Sequence, residues 1–231
     1  MQVNTYDSAD ALADASADLI TERLSAATGD RVNLALAGGS TPEPTYRKLV
    51  GRPIDWARTD VWLSDERWVP HDSDDSNGRM ARRTLLDHVD GATFHRPRYT
   101  ENLEPDESAA YYEATLRSII PGGTPDVVLL GMGTDGHTAS LFPSTEALTE
   151  PTTRWFVENH VPSLDTWRLT VTPHFLERVA TIVVIVAGAD KADVIAEVVE
   201  HPAGRYPIEI LHDCAGEVVF MLDEPAASRL G

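Results

Sequence analysis

PDVVLLGMGTDGHTASLFP, residues 125–143, is the most informative run in this chain. It opens on Val127, Val128, Leu129 and Leu130, an unbroken apolar segment of the kind found in strands buried on both faces of a parallel sheet. Gly131, Gly133 and Gly136 follow, so the backbone can turn sharply and leave its N–H groups open to a ligand. Asp135 and His137 flank the last glycine, and Thr138 to Leu141 read as a short helix that Pro143 stops. A buried strand that empties into a glycine turn bearing Asp and His is where an α/β protein places its chemistry.

The same design occurs twice more. Val32 to Ala37 (VNLALA) runs into Gly38, Gly39, Ser40, Thr41 and Pro42, with a helix from Thr45 to Val50 that Ser40 or Thr41 is placed to cap. Thr181 to Ala187 (TIVVIVA) breaks at Gly188 into Ala189, Asp190 and Lys191, where Asp190 is placed to cap a helix running through Val199. Between these lie an amphipathic helix over 8–28 ended by Gly29, a strand over 61–64 that ends in Asp65, Glu66 and Arg67, and helices over 77–89 and 106–120. Strands at 168–172 and 217–222 complete the pattern, while 144–166 shows no clear periodicity. Strands alternating with helices predict one α/β domain, a modified Rossmann-like, mainly parallel sheet with helices on both faces.

In a parallel sheet such turns share the carboxyl edge, where ligands bind. Backbone N–H groups at helix starts attract anions, phosphate above all. Arg67 leaves another strand end on that edge, and Lys191 sits in the first turn of its helix, where the dipole disfavours a cation unless an anion accompanies it. The plain alternatives are ion pairs: Lys191 with Asp190 or Asp193, and Arg67 with Asp65 or Glu66. Among eight histidines only His137 has such a setting, with Asp135 two residues away to orient the imidazole and fix its tautomer. An Asp-x-His pair also suits a metal, but no third and fourth ligands stand at telling spacings, so none is expected.

Charge narrows the partners. The chain of 231 residues carries 37 acidic against 19 basic side chains, a formal net charge of −18, which argues against nucleic acid. No apolar run approaches the roughly 18 residues of a membrane-crossing helix, and the start of the chain lacks a secretory pattern. A single cysteine, Cys214, suits a reducing cytoplasm. Asp10, Asp14 and Asp18 recur at helical spacing and repel one another until salt screens them. A high-salt cytoplasm is the expected habitat; an ordinary acidic enzyme is the alternative.

The segments LALAGGSTP (34–42), SDERWVP (64–70) followed by Asn77, LGMGTDGHTASLFP (130–143) and AGADK (187–191) together resemble the 6-phosphogluconolactonase family. The four motifs stand in the family's order along nearly the whole chain. The resemblance implies hydrolysis of 6-phosphogluconolactone in the oxidative pentose phosphate pathway, without metal or organic cofactor. It makes His137 the general base, oriented by Asp135. Arg67 and Lys191 become the phosphate-side cations, and Gly38, Gly39, Ser40 and Thr41 the phosphate loop, with Gly133 in the ligand-facing turn. The expected partner is a phosphorylated sugar lactone, and the expected state a monomer.

Three other readings are weighed beside it. Glucosamine-6-phosphate deaminases share the Asp-Gly-His segment but continue Phe-Asn-Glu-Pro, where this chain has Ser140, Leu141, Phe142 and Pro143. Gly131, Gly133 and Gly136 match a dinucleotide fingerprint, yet Pro143 arrives too soon for the crossover helix that it needs. A sugar-phosphate sensor on the same fold carries a DNA-binding module, for which this chain has neither the length nor the charge.

Overall fold

A computed structural model of the chain describes residues 1–149 and 151–231. In chain order the strands are β1 (Gln2–Tyr6), β2 (Val32–Leu36), β3 (Thr59–Leu63), β4 (Asp65–Arg67), β5 (Thr93–Phe94), β6 (Val127–Leu130), β7 (Phe156–Val161), β8 (Thr166–Val171), β9 (Thr181–Val186) and β10 (Glu217–Asp223). The helices are α1 (Ala9–Ala26), α2 (Glu43–Leu49), α3 (Asn77–Thr84), α4 (Pro105–Ile119), α5 (Glu146–Thr149), α6 (Pro173–Leu176), α7 (Ala192–Glu200) and α8 (Glu224–Ala227). Among the described residues, β1-β10-β9-β6-β2-β3-β5 form one sheet in that order, every pairing parallel. β4-β8-β7 form a small antiparallel sheet beside it. No helix is long and apolar enough to cross a membrane among the described residues.

Period-two alternation along the buried strands sends successive side chains to opposite faces. Val128, Leu130, Ile182, Val184 and Phe220 face the core covered by α4, α6 and α7. Val127, Leu129, Val183, Ile185 and Met221 face the core covered by α1, α2 and α3. Each fully buried Leu, Ile or Phe contributes about 1.5–3 kcal/mol relative to exposure, which makes these two layers the main source of stability. β6 lies between β9 and β2, so the turns that leave these three strands stand side by side on the carboxyl edge.

Several local expectations are corrected. Ser40 and Thr41 do not cap α2; Pro42 precedes it with helical φ and ψ (−79° and −16°), and no side chain closes that end. Thr138 to Leu141 are not helical. Ala139 takes φ +47°, which breaks any helix, and Leu141 N donates to Thr138 O at 2.9 Å to close a tight turn. Asp190 does not cap α7, which begins at Ala192 after a single 3-10 turn over Ala189–Lys191. The helix expected over 77–89 stops at Thr84, because Leu85 departs from helical geometry (φ −136°, ψ −62°), and a 3-10 turn follows. α1 ends at Ala26, before Gly29.

β1, β4 and β7 carry no sequence expectation at all. β1 is a polar edge strand, β4 is three residues long, and β7 (FVENHV) mixes charge into its alternation. None offers a hydrophobic period to read.

Candidate active site

A cavity of about 530 Å³ opens on the carboxyl edge between the two sheets. The 38–41 loop after β2 and the 131–137 loop after β6 form one wall, with Arg67 from β4 and Arg168 from β8 opposite. A separate open hollow of about 690 Å³ around Tyr206 and Glu209 holds none of the expected site residues.

At the imidazole, Nδ1–H of His137 donates to Asp135 Oδ1 at 2.6 Å, and the same oxygen accepts from His137 N at 3.2 Å. The carboxylate accepts at Nδ1, so Nδ1 carries the proton and the free lone pair sits on Nε2. Gly133 makes this arrangement possible. A Cβ at that position would lie 2.2 Å from Nδ1 and Cε1 of His137 and 2.8 Å from Asp135 Oδ1. Phe142 stacks on the ring with centroids 4.0 Å apart and planes inclined by 23°. Behind the loop, Tyr206 fills the space a Cβ on Gly136 would take, and Ile208 N donates to Gly136 O at 3.0 Å.

The opposite wall is cationic. Arg67 does not pair with Asp65 or Glu66; its Nη1 donates to the Asp75 carbonyl at 2.6 Å. Glu66 instead takes four local donors, from Arg67 N, Asn77 N, Gly78 N and Ser76 Oγ, which fixes the backbone on either side of that loop. Burial nevertheless pushes its carboxyl above the usual range. Arg168 is directly opposite Arg67 in the register of β4 and β8. Burial first, and then the neighbouring Arg67 charge, pull the Arg168 guanidinium below its ordinary pKa. Its Nε is buried without a hydrogen-bond partner, and neither arginine has a carboxylate within ion-pair distance among the described residues. Two adjacent guanidinium groups with no directly paired carboxylate, though Asp65, Asp75 and Glu66 act on Arg168 from farther off, make a site for an anion such as phosphate.

Lys191 behaves otherwise. The turn 188–191 leaves β9 on the same edge, but Lys191 pairs with Asp190, is only 18% exposed, and does not line the cavity. The glycine loop does line it, Gly38 through Thr41 all contributing, with Gly39 at φ +97°. Two other histidines are held by local partners: His95 Nε2 lies 2.8 Å from Asp60, and His71 Nε2 lies 3.0 Å from the Pro97 carbonyl.

Residues 7–220 match the family described as glucosamine-6-phosphate isomerases/6-phosphogluconolactonase. The chain belongs to this family. It is 38% identical over 222 residues to the 6-phosphogluconolactonase of Synechocystis, covering 91% of this chain and 90% of that one. The solved structure of 6-phosphogluconolactonase from Trypanosoma brucei is similar with a TM-score of 0.86 at 28% identity, covering 100% of this chain and 98% of the other. A monomeric glucosamine-6-phosphate deaminase shares the fold, with a TM-score of 0.82 at 21% identity over 99% and 100% of the two chains.

Within that family frame, two cavity residues went unread in the sequence. Arg168 opens a strand, where a lone charge attracts no notice until the β4–β8 register sets it against Arg67. In the sequence Asp65 offers only an ion-pair partner for Arg67, yet it lines the cavity and accepts from Ser140 Oγ at 2.7 Å. The dinucleotide reading fails locally, since a tight turn and not a crossover helix follows Gly136.

Proposed function

We propose that the protein hydrolyses 6-phospho-D-glucono-1,5-lactone to 6-phosphogluconate. The observation that carries this is one cavity holding an oriented imidazole, His137 on Asp135, across from two unpaired arginines, Arg67 and Arg168. An activated ester needs positioning and a base for water; a phosphorylated one needs an anion grip.

In this reading the phosphate lies against the Gly38–Thr41 loop and the two guanidinium groups. Lys191, paired with Asp190 outside the cavity lining, would have to leave that carboxylate to join them. His137 Nε2 takes a proton from water as its oxygen attacks C1. The C1–ring oxygen bond then breaks, and the imidazolium returns the proton to the leaving ring oxygen. Asp135 holds the ring and stabilises its charged form. No electrons change hands, so the chemistry requires no redox cofactor.

Deamination is the second reading, and Phe142 speaks against it. An aromatic ring stacks on the imidazole, five residues after His137, where deaminases place a glutamate. Assaying ammonia release from glucosamine 6-phosphate separates the two.

We further infer a cytoplasmic monomer. The location is supported by the lone Cys214, since one cysteine leaves no disulfide to form within the chain. Size-exclusion chromatography tests the monomer.

The direct test is lactone hydrolysis by purified protein, with inorganic phosphate as competitor. His137→Ala is expected to lose roughly 10²–10⁴ in kcat, the usual worth of a general base. Turnover equal to the parent's, above spontaneous hydrolysis, would overturn the assignment.

A further inference from the structure

The motif that begins at Ser64 closes on Asn77, a residue to which the hydrolytic mechanism gives no task. Asn77 is 1% exposed and lines no part of the cavity. Its side chain nevertheless touches both halves of the site. Nδ2 donates to the Asp65 carbonyl at 2.9 Å and to Asp65 Oδ1 at 3.2 Å. Asp65 Oδ2 accepts from Ser140 Oγ at 2.7 Å, three residues past His137. On its other side the carboxamide packs on the glycine loop: a Cβ built on Gly38 would lie 2.0 Å from Asn77 Oδ1.

Oδ1 itself has no hydrogen-bond partner among the described residues. A buried acceptor left unpaired is costly, so a leucine of similar size would serve better if the space only needed filling. The Nδ2 bonds explain why it does not. Asp65 keeps a carboxylate inside the protein, and that carboxylate anchors the far end of the imidazole loop through Ser140. Ser140 is pinned further by Thr170 Oγ1 on its N–H (3.2 Å) and by Asn159 Nδ2 on its carbonyl (2.8 Å). The backbone of Asn77 is fixed as well, its N–H donating to Glu66 Oε1 at 2.7 Å. Glu66 Oε1 also accepts from Arg67 N at 2.8 Å, so the backbones of Arg67 and Asn77 hang from one carboxylate oxygen.

We propose that Asn77 is a positioning residue of this site. Its carboxamide sets the separation between the glycine loop and the Asp65–Ser140 pair, and so holds the anion-binding loop and the imidazole loop in one geometry. The inference rests on the hydrolytic reading of the cavity.

Asn77→Leu keeps the volume and Asn77→Asp keeps the shape, but each removes the donor from Asp65. The measurements are kcat and KM for the lactone, the inhibition constant of inorganic phosphate, and a thermal melt. With folding retained, kcat falls about 10- to 100-fold while phosphate inhibition weakens by at least about fivefold, because a displacement near 1 Å is felt on both sides. Variants that melt cooperatively and leave both constants at the parent's values overturn the proposal. So does a fall in kcat alone, which is what a smaller folded fraction produces. Where neither variant folds, Ser140→Ala decides: it cuts the link on the imidazole side only, so kcat falls and phosphate inhibition stays. Movement of both constants there, or of neither, removes Asn77 as the bridge. If the parent itself shows no lactone turnover, the hydrolytic reading fails instead.

Discussion

Arg67 and Arg168 stand directly opposite each other in the antiparallel register of β4 and β8, both facing the cavity and neither matched by a carboxylate among the described residues. Like charges held this close destabilise the empty protein and favour a bound anion. Arg168→Met should therefore raise the melting temperature in phosphate-free buffer. The same change should raise KM about 10- to 100-fold, the equivalent of one charge-assisted hydrogen-bonded contact of about 1.5–3 kcal/mol. Added inorganic phosphate should stabilise the parent and lose most of that effect in the variant. Differential scanning calorimetry with a phosphate series checks both signs; a variant that melts lower without phosphate contradicts the account.

Gly133 is the second test, because steric room and not conformational freedom is what it supplies. A Cβ there would lie 2.2 Å from the His137 ring, with Asp135 behind it, so the ring must move. Gly133→Ala should fold, since the neighbours are side-chain atoms at the rim of a loop, yet lose about 10²-fold or more in kcat as the Nδ1–Asp135 alignment is broken. Asp135→Asn should approach the same loss by a different route. An amide no longer selects the Nδ1–H tautomer. Steady-state kinetics on both variants, with circular dichroism for the fold, decides the matter.

What was legible beforehand follows from which signals are local. Three glycine turns after apolar strands could be read from residues adjacent in sequence, and the parallel pairing of β9, β6 and β2 places them side by side. Arg168 was not legible, because its meaning lies in a register with a three-residue strand. For Lys191 the sequence offers both a bound anion and an ion pair with Asp190 or Asp193, and the structure shows the Asp190 pair. In sequence, Asp10, Asp14 and Asp18 show only a stripe of like charges at helical spacing. The packing of α1 on α2 supplies the partners: Lys48 Nζ is 2.8 Å from Asp10, and Arg52 is 2.7 Å from Asp14 and 2.8 Å from Asp18.

Asp60 offers a pH test of stability away from the cavity. Its side chain is 5% exposed, with Arg31 Nε at 2.5 Å, Arg31 Nη2 at 2.9 Å and His95 Nε2 at 2.8 Å. Burial alone would raise the carboxyl, but the arginine fork and the imidazole outweigh it and hold it below the usual range. A depressed folded-state value means stability that is fully present above the unfolded value of about 3.9 and lost as pH falls through the folded one. Asp60→Asn should thus cost about 1–2 kcal/mol near neutrality, the worth of charge-assisted hydrogen bonds to an Arg31 that is 45% exposed and stays solvated when its partner is lost. The gap between parent and variant should shrink below about pH 4. Urea melts at pH 7 and pH 3 measure it, and an equal gap at both would rule the ion pair out as the source.

Salt is the last and broadest test, and the α1–α2 pairs sharpen it. The net charge of −18 implies self-repulsion that screening relieves, so the parent should melt higher as KCl rises from 0.1 M toward about 2 M, where the Debye length drops to about 3 Å or less. The aspartate stripe on α1 should contribute little to that rise, because Lys48 and Arg52 already oppose it. Lys48→Gln removes the cation at Asp10 and exposes the repulsion. At low salt it should melt about 1–3 °C below the parent, and at molar KCl the two should converge. A parallel offset at every salt concentration would mean that Lys48 acts through packing of its stem and not through charge. A parent melt that is flat or falling with KCl would mean that attractive pairs such as these outweigh the net charge, and that the acidic surface is no adaptation to high salt.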